Sequence, residues 1–321
     1  MWTTKLMIDG VWQGDVVETP AIAAKRATHA KGFRGRIEVC GGLGLRAEGG
    51  RYHLYVSYAC PFAHRAILVH ALKRLDGIVG LSVLHPRWNT PNGWTFGATD
   101  LSTPDRGGSG FKHLHEAFSV SCTEYTGRVT VPVLWDTTTS RIVSDDSLAI
   151  AQMLDQAFDD VAPEVDSLYP LALQPAISAV ATRIADEIAA GFYRIGGAAD
   201  QATYDLAEEH LFNSLDRLER QLRGGGPYLH GDRLTLSDIV LFTPLLRFEP
   251  VYRPLFRALR RCLNEYPALL DWMQRLLANQ LIADTVRPDH ILTHYYDDWA
   301  PRNPRIVPRW TWPNDWHALC R

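Results

Sequence analysis

The sequence predicts an α/β domain over residues 51–160 followed by an all-helical domain with a C-terminal tail over 174–321. Three observations carry this: a strand–helix–strand pattern at 51–85, two further strands and a helix at 130–154, and helical periodicity almost throughout beyond Pro170. Residues 1–50, rich in Gly, Ala and Thr, read as an extension with little regular structure.

The first strand is R-Y-H-L-Y-V-S-Y (51–58), with the β-branched and aromatic content of a strand. From Pro61 the pattern changes: Ile67, Leu68, Ala71, Leu72 and Leu75 share one helical face. I-V-G-L-S-V-L-H (78–85) is a second strand, and a strand–helix–strand run favours parallel pairing. Residues 86–127, rich in Pro, Gly, Thr and Asp, form a loop long enough to be functional. T-V-P-V-L-W-D (130–136) and R-I-V-S-D (141–145) are strands joined by a polar turn, and a helix starts at D-S-L-A-I-A (146–151). That element order is thioredoxin-like.

Pro163 and Pro170 bracket a linker, and helices are expected over 174–193, 201–223, 235–248, 252–263 and 267–278. In G-D-R-L-T-L-S-D, Thr235 caps and Asp238 reaches back to its amide, a capping box with Asp for Glu. Residues 296–321, with four prolines and four tryptophans, are expected along the outside of the helical domain.

Composition narrows the function. The 321 residues are 46% hydrophobic and 21% charged, the range of a soluble globular protein. A net charge of −3 supplies no basic field for nucleic acid. No apolar stretch reaches the roughly 18 residues of a membrane span, and M-W-T-T-K-L-M-I-D-G lacks the apolar core of a signal peptide. Five scattered cysteines (40, 60, 122, 262, 320) make neither a disulfide framework nor a zinc site. The expectation is a cytoplasmic protein in which an unusually placed cysteine is reactive.

Cys60, in S-Y-A-C-P-F-A-H-R-A (57–66), is that cysteine. Proline suits the first position of a helix, so Cys60 falls at the N-cap, near free amides and the positive end of the dipole. Both favour the thiolate, the nucleophile of thiol–disulfide exchange. Ala63 stands where a dithiol enzyme has its second cysteine, so the resolving thiol comes from outside. Val131-Pro132 reads as an edge-strand proline or a cis bend, the latter turning the polar groups of Val131 toward a peptide ligand. Asp146-Ser147 reads as a plain helix cap or a carboxylate site. His290 and His294, four apart, read as packing rather than metal ligands, as do His113 and His115. His64 and Arg65 follow Cys60 by one turn and add positive charge there or serve structure.

Together with G-W-T-F (93–96), Y-T-G-R-V-T-V-P-V-L-W-D (125–136), R-F-E-P-V-Y (247–252), D-H-I-L-T-H-Y-Y (289–296) and N-P-R-I-V-P (303–308), these segments resemble the glutathionyl-hydroquinone reductases, the Xi class of glutathione transferases. The resemblance runs from about residue 50 to 308. It implies a glutathione-transferase helical domain, a homodimer, glutathione as co-substrate and a quinone-derived glutathione conjugate as substrate. It makes Cys60 catalytic and gives Trp94, Arg128, Val131, Pro132, Asp146 and Ser147 to glutathione. Tyr193, Tyr252 and Tyr296 would line the aromatic site, with Tyr193 and Tyr296 assisting catalysis. Phe62, Asp146 and Ala189-Ala190-Gly191 depart from the family pattern, which places the drift in the aromatic pocket. Conjugation, reductive dehalogenation and a non-catalytic binding module are the alternative functions.

Overall fold

The computed structural model describes residues 3–38 and 45–299. The chain divides into two compact units, one taking Met1–Val165 and Asp289–Val307, the other Asp166–Pro288 and Pro308–Arg321. Among the described residues no helix is long and apolar enough to cross a membrane.

The first unit begins with more order than its sequence led us to expect. β1 (Thr3–Ile8) and β2 (Val11–Val17) form an antiparallel hairpin. Asp9 (φ 50°) and Gly10 (φ 73°) make its two-residue turn, both left-handed as such a hairpin requires. α1 (Pro20–Thr28) follows, with Pro20 in its first turn and Thr19 Oγ1 accepting the amide of Ile22 at 3.3 Å. Asp-Gly between β-forming residues was the available signal, masked by the Gly, Ala and Thr around it.

β3 (Ile37–Glu38) and β4 (Leu45–Arg46) make a short parallel pair. The core sheet then starts with β5 (Tyr52–Val56), every residue of which is buried. α2 (Pro61–Leu72) leads to β6 (Val79–Val83), which pairs parallel with β5 as anticipated. The supposed loop 86–127 contains a helix, α3 (Leu114–Ser121). Its start is marked by Glu116, whose Oε1 accepts the amide of His113 at 2.8 Å; a histidine at the cap hid the signature. β7 (Val133–Asp136) and β8 (Arg141–Ser144) complete an order β6-β5-β7-β8, with β7 antiparallel to both neighbours. β7 starts at Val133 rather than at 130, because Pro132 has no amide for the ladder. α4 (Ser147–Gln156) packs on α2.

The second unit is helical. α5 (Gln174–Ile184) continues through a π turn into α6 (Ala190–Gly196). α7 (Gln201–Gly225) starts at Asp200, whose side chain accepts the amide of Thr203. α8 (Leu236–Leu245) is buried along its whole length. Asp238 organises its start: Oδ2 accepts the Thr235 amide at 2.9 Å, while Oδ1 accepts the Leu229 amide at 3.0 Å and Trp272 Nε1 at 2.9 Å. The expected capping box is therefore present and reaches two distant segments. The expected helix 252–263 shrinks to α9 (Arg253–Phe256), because Arg257 turns left-handed at φ 63°, its carbonyl accepting from Tyr204 Oη at 2.7 Å. α10 (Pro267–Leu277), α11 (Gln280–Ala283) and α12 (Pro288–Leu292) follow.

The described part of the tail belongs to the first unit. Within the first unit, Asp298 accepts the amides of Trp88 and Asn89, and Asp297 pairs with Arg87. Asp297 and Asp298 thus bond within the α/β unit; 300–321 lie outside the described residues.

His53 of β5 sits in the core of this unit, its Nε2 2.8 Å from Ser82 Oγ, and burial lowers its pKa to about 4. An unfolded histidine titrates near 6.5, so below that value the unfolded chain takes up the proton first. Stability is therefore expected to fall as pH drops from about 6.5 to 4, by roughly 3 kcal/mol at most from this group. His70, also buried and lowered, acts in the same sense. Urea unfolding at pH 7 and pH 4.5 measures the loss, and His53→Gln is expected to flatten it; an equal slope in that variant would exonerate His53.

Candidate active site

The α2 start is built as its sequence requires. Cys60 is the N-cap in extended conformation (φ −78°, ψ 123°), Pro61 follows in the first turn, and the His64 amide bonds the Cys60 carbonyl at 3.0 Å. The sulfur is half-buried. It makes no hydrogen bond to the amides it caps; instead Sγ lies 3.7 Å from the carbonyl oxygen of Val131, within reach of an S–H donor. The Val131-Pro132 peptide is cis, which resolves the two readings of that proline. Two segments 71 residues apart thus meet at one sulfur and one carbonyl.

The start of α4 is tied to the same helix through Arg65. Asp146 is its N-cap, and Oδ1 accepts the amides of Leu148 at 2.9 Å and Ala149 at 3.0 Å. Ser147 Oγ receives Arg65 Nη1 at 3.2 Å, and the Arg65 guanidinium lies 4.9 Å over the Phe62 ring. Arg65 therefore ties the cysteine helix to the serine. From the N-terminal extension, Arg34 reaches Asp145 at 2.8 Å and Asp146 at 3.8 Å. Burial raises the Asp145 pKa against the pull of the Phe33 amide and Arg34. Sequence reading did not single out Arg34, since nothing local connects residues 111 apart.

The remaining candidates divide between the units. Trp94 is buried, its ring parallel to that of His294 (10°, centroids 5.8 Å apart) and near Trp88. His290 meets Tyr58 edge-on, a packing contact, and His294 Nδ1 lies 2.7 Å from the Pro86 carbonyl, a hydrogen bond. Arg128 is exposed, with Nη2 3.3 Å from Thr4 Oγ1, where Gly127 pairs with Met7 of β1. Tyr296 is half-buried, and burial pushes its phenol up to about 12. Tyr193 and Tyr252 belong to the helical unit. There Tyr252 is fully buried, stacked on Phe192 at 4.4 Å, and Tyr193 meets it edge-on at 5.8 Å.

Residues 59–157 match the family model for the glutathione S-transferase N-terminal domain, and residues 201–275 that for the C-terminal domain. The chain is 36% identical to glutathionyl-hydroquinone reductase PcpF of Sphingobium chlorophenolicum, over 94% of this chain and 95% of that one. It is 38% identical to glutathionyl-hydroquinone reductase YqjG of Escherichia coli, over 93% and 92%. The glutathione-bound structure of YqjG superposes with a TM-score of 0.83, covering 95% of this chain and 96% of that one at 36% identity. A Xi-class glutathione transferase from Natrialba magadii superposes at 0.88, with 35% identity over 95% and 93%.

The double use of the Asp146 carboxylate by α4 amides has a stability consequence. Asp146→Ala is expected to destabilise the fold by about 1 kcal/mol, and Asp146→Asn by much less. Urea melts of the three proteins decide it; coincident curves for Ala and the unaltered protein would mean the cap is idle.

Proposed function

The chain belongs to the glutathionyl-hydroquinone reductases, the Xi class of glutathione transferases, and from that premise we propose that it removes glutathione from aromatic glutathionyl conjugates through a mixed disulfide on Cys60. The observation that carries this reading is the Cys60 sulfur at a helix start, 3.7 Å from the carbonyl beside a cis-proline.

Glutathione binds with its cysteinyl backbone along Val131 and its γ-glutamyl end at Asp146 and Ser147, with Trp94 and Arg128 as further contacts. Backbone pairing at Val131 competes for the carbonyl that Cys60 now faces. The sulfur is then left to the positive end of the α2 dipole, which favours the thiolate. That thiolate attacks the glutathione sulfur of the conjugate in its keto form. The sulfur–carbon bond breaks, its electron pair passes to the ring carbon and carbonyl, and a proton completes the hydroquinone. Cys60 and glutathione are left as a mixed disulfide. A second glutathione, as thiolate, attacks the disulfide, freeing Cys60 and giving glutathione disulfide. Two sulfurs, the conjugate's thioether sulfur and the second glutathione's thiol, are thus each oxidised by one electron and the ring carbon is reduced by two, with Cys60 regenerated.

The family resemblance makes Tyr296 the hydroxyl that polarises the ring oxygen and hands it a proton; like any phenol it is protonated at neutral pH, and burial pushes its pKa up to about 12. The family resemblance assigns Tyr193 and Tyr252 to the aromatic substrate as well; the burial of Tyr252 in its aromatic cluster makes Tyr193 the stronger of the two. A reducing cytoplasm, which keeps Cys60 reduced, and a homodimer complete the reading.

Cys60→Ala is expected to abolish thiol consumption with glutathionyl-menadione or a glutathionyl-hydroquinone while the protein still binds a glutathione column. Unchanged turnover in that variant ends the mechanism, and a thioether product by mass spectrometry in place of glutathione disulfide replaces it with conjugation. Tyr296→Phe is expected to lower kcat by about 10²-fold, the usual scale of a lost proton donor; a kcat equal to that of the unaltered enzyme would remove Tyr296 from the chemistry.

A further inference from the structure

We propose that residues 290–299 form a clasp that positions Trp94 for glutathione, with His294 and Asp298 as its positioning residues. The inference rests on the reading of Trp94 as a glutathione contact and adds to it the means by which that ring is held.

Trp94 ends a loop that leaves the sheet after β6; within it the Arg87 amide bonds His85 Nδ1 at 3.1 Å, and the Leu114 amide of α3 holds the Trp94 carbonyl at 3.0 Å. A turn from Thr90 to Gly93 is its main internal bond, with the Gly93 amide on the Thr90 carbonyl at 3.1 Å and Thr90 Oγ1 on the Gly93 carbonyl at 3.2 Å. The base is tied by the His85 amide on the Thr95 carbonyl at 2.9 Å. Most of the remaining bonds come from segments distant in sequence. Asp298 accepts the amide of Trp88 at 2.8 Å and that of Asn89 at 2.9 Å with one carboxylate oxygen. Asp297 pairs with Arg87, and His294 Nδ1 meets the Pro86 carbonyl. Four consecutive residues, 86–89, are therefore gripped by a segment some 210 positions away.

The same segment holds the ring. His294 lies parallel to Trp94 and also borders Trp88, whose own ring is 26° from that of Trp94. From the other side, Trp12 of β2 donates to the Pro91 carbonyl at 2.8 Å. Its ring would lie 2.9 Å from a Cβ at Gly93, so the left-handed Gly93 (φ 66°) is needed for this approach. Anchored on both flanks, the indole keeps one orientation before any ligand arrives. Pre-orientation of a contact used equally in ground and transition states strengthens binding without altering the chemical step.

The test is calorimetric binding of glutathione together with steady-state kinetics. His294→Ala and Asp298→Ala are each expected to weaken glutathione binding and raise its KM by about tenfold, with kcat at saturating glutathione within about twofold. His294→Phe, which keeps a ring against Trp94, is expected to recover most of the affinity, and thermal melts show that each variant is folded. Should the alanine variants unfold, Asp298→Asn and His294→Leu, which removes the ring, take their place and are likewise expected to weaken binding. Unchanged affinity in the ring-removing His294 variant and the Asp298 variant, alongside a loss in Trp94→Ala, would overturn the clasp and leave the glutathione reading standing. A fall in kcat with KM unmoved would also overturn it. Equal affinity of Trp94→Ala and the unaltered protein would remove the premise, and the clasp with it.

Discussion

The approach of the Cys60 sulfur to the Val131 carbonyl is the constraint on which the site depends. It joins a helix start to the loop before a central strand, and both must be placed by the sheet for the two atoms to meet. β5 delivers Cys60 four residues after its last paired residue, and β7, its antiparallel neighbour, is entered through Pro132. The parallel partner β6 then leaves the sheet into the loop that carries Trp94. Helix start, cis-proline and loop each lie at the end of a core strand, so their mutual distances are set by strand pairing rather than by local preference.

A small sheet places its strand ends well but leaves their loops under-determined, and here the chain ends supply what is missing. The N-terminal hairpin pairs with Gly127, bonds Arg128 and lays Trp12 against the Trp94 loop. Arg34 reaches the acidic pair ahead of α4. Residues 290–299 grip the other flank of the Trp94 loop. Segments outside the matched N-terminal family region therefore shape the residues assigned to glutathione. The helical unit has its own keystone in Asp238, which is buried and satisfied by four donors. A carboxylate so placed is tolerated only because each hydrogen bond offsets lost hydration.

What the sequence determined by itself were features whose physics is local. Cys-Pro at a helix start, Thr235 with Asp238 three residues on, the apolar period of α2 and the strand content of β5 and β6 all act within a turn or a strand, and all are where they were expected. Asp9-Gly10 and Glu116 were equally local and were passed over because a mixed composition and a histidine cap obscured them. What only the tertiary structure decided were contacts between residues far apart. Sγ turns to a carbonyl 71 positions on rather than to its own helix amides, Arg34 reaches Asp145, and Asp298 reaches the amides of Trp88 and Asn89. No periodicity encodes such pairings, because whether a donor finds its own helix or a distant carbonyl depends on where the sheet has put the alternatives.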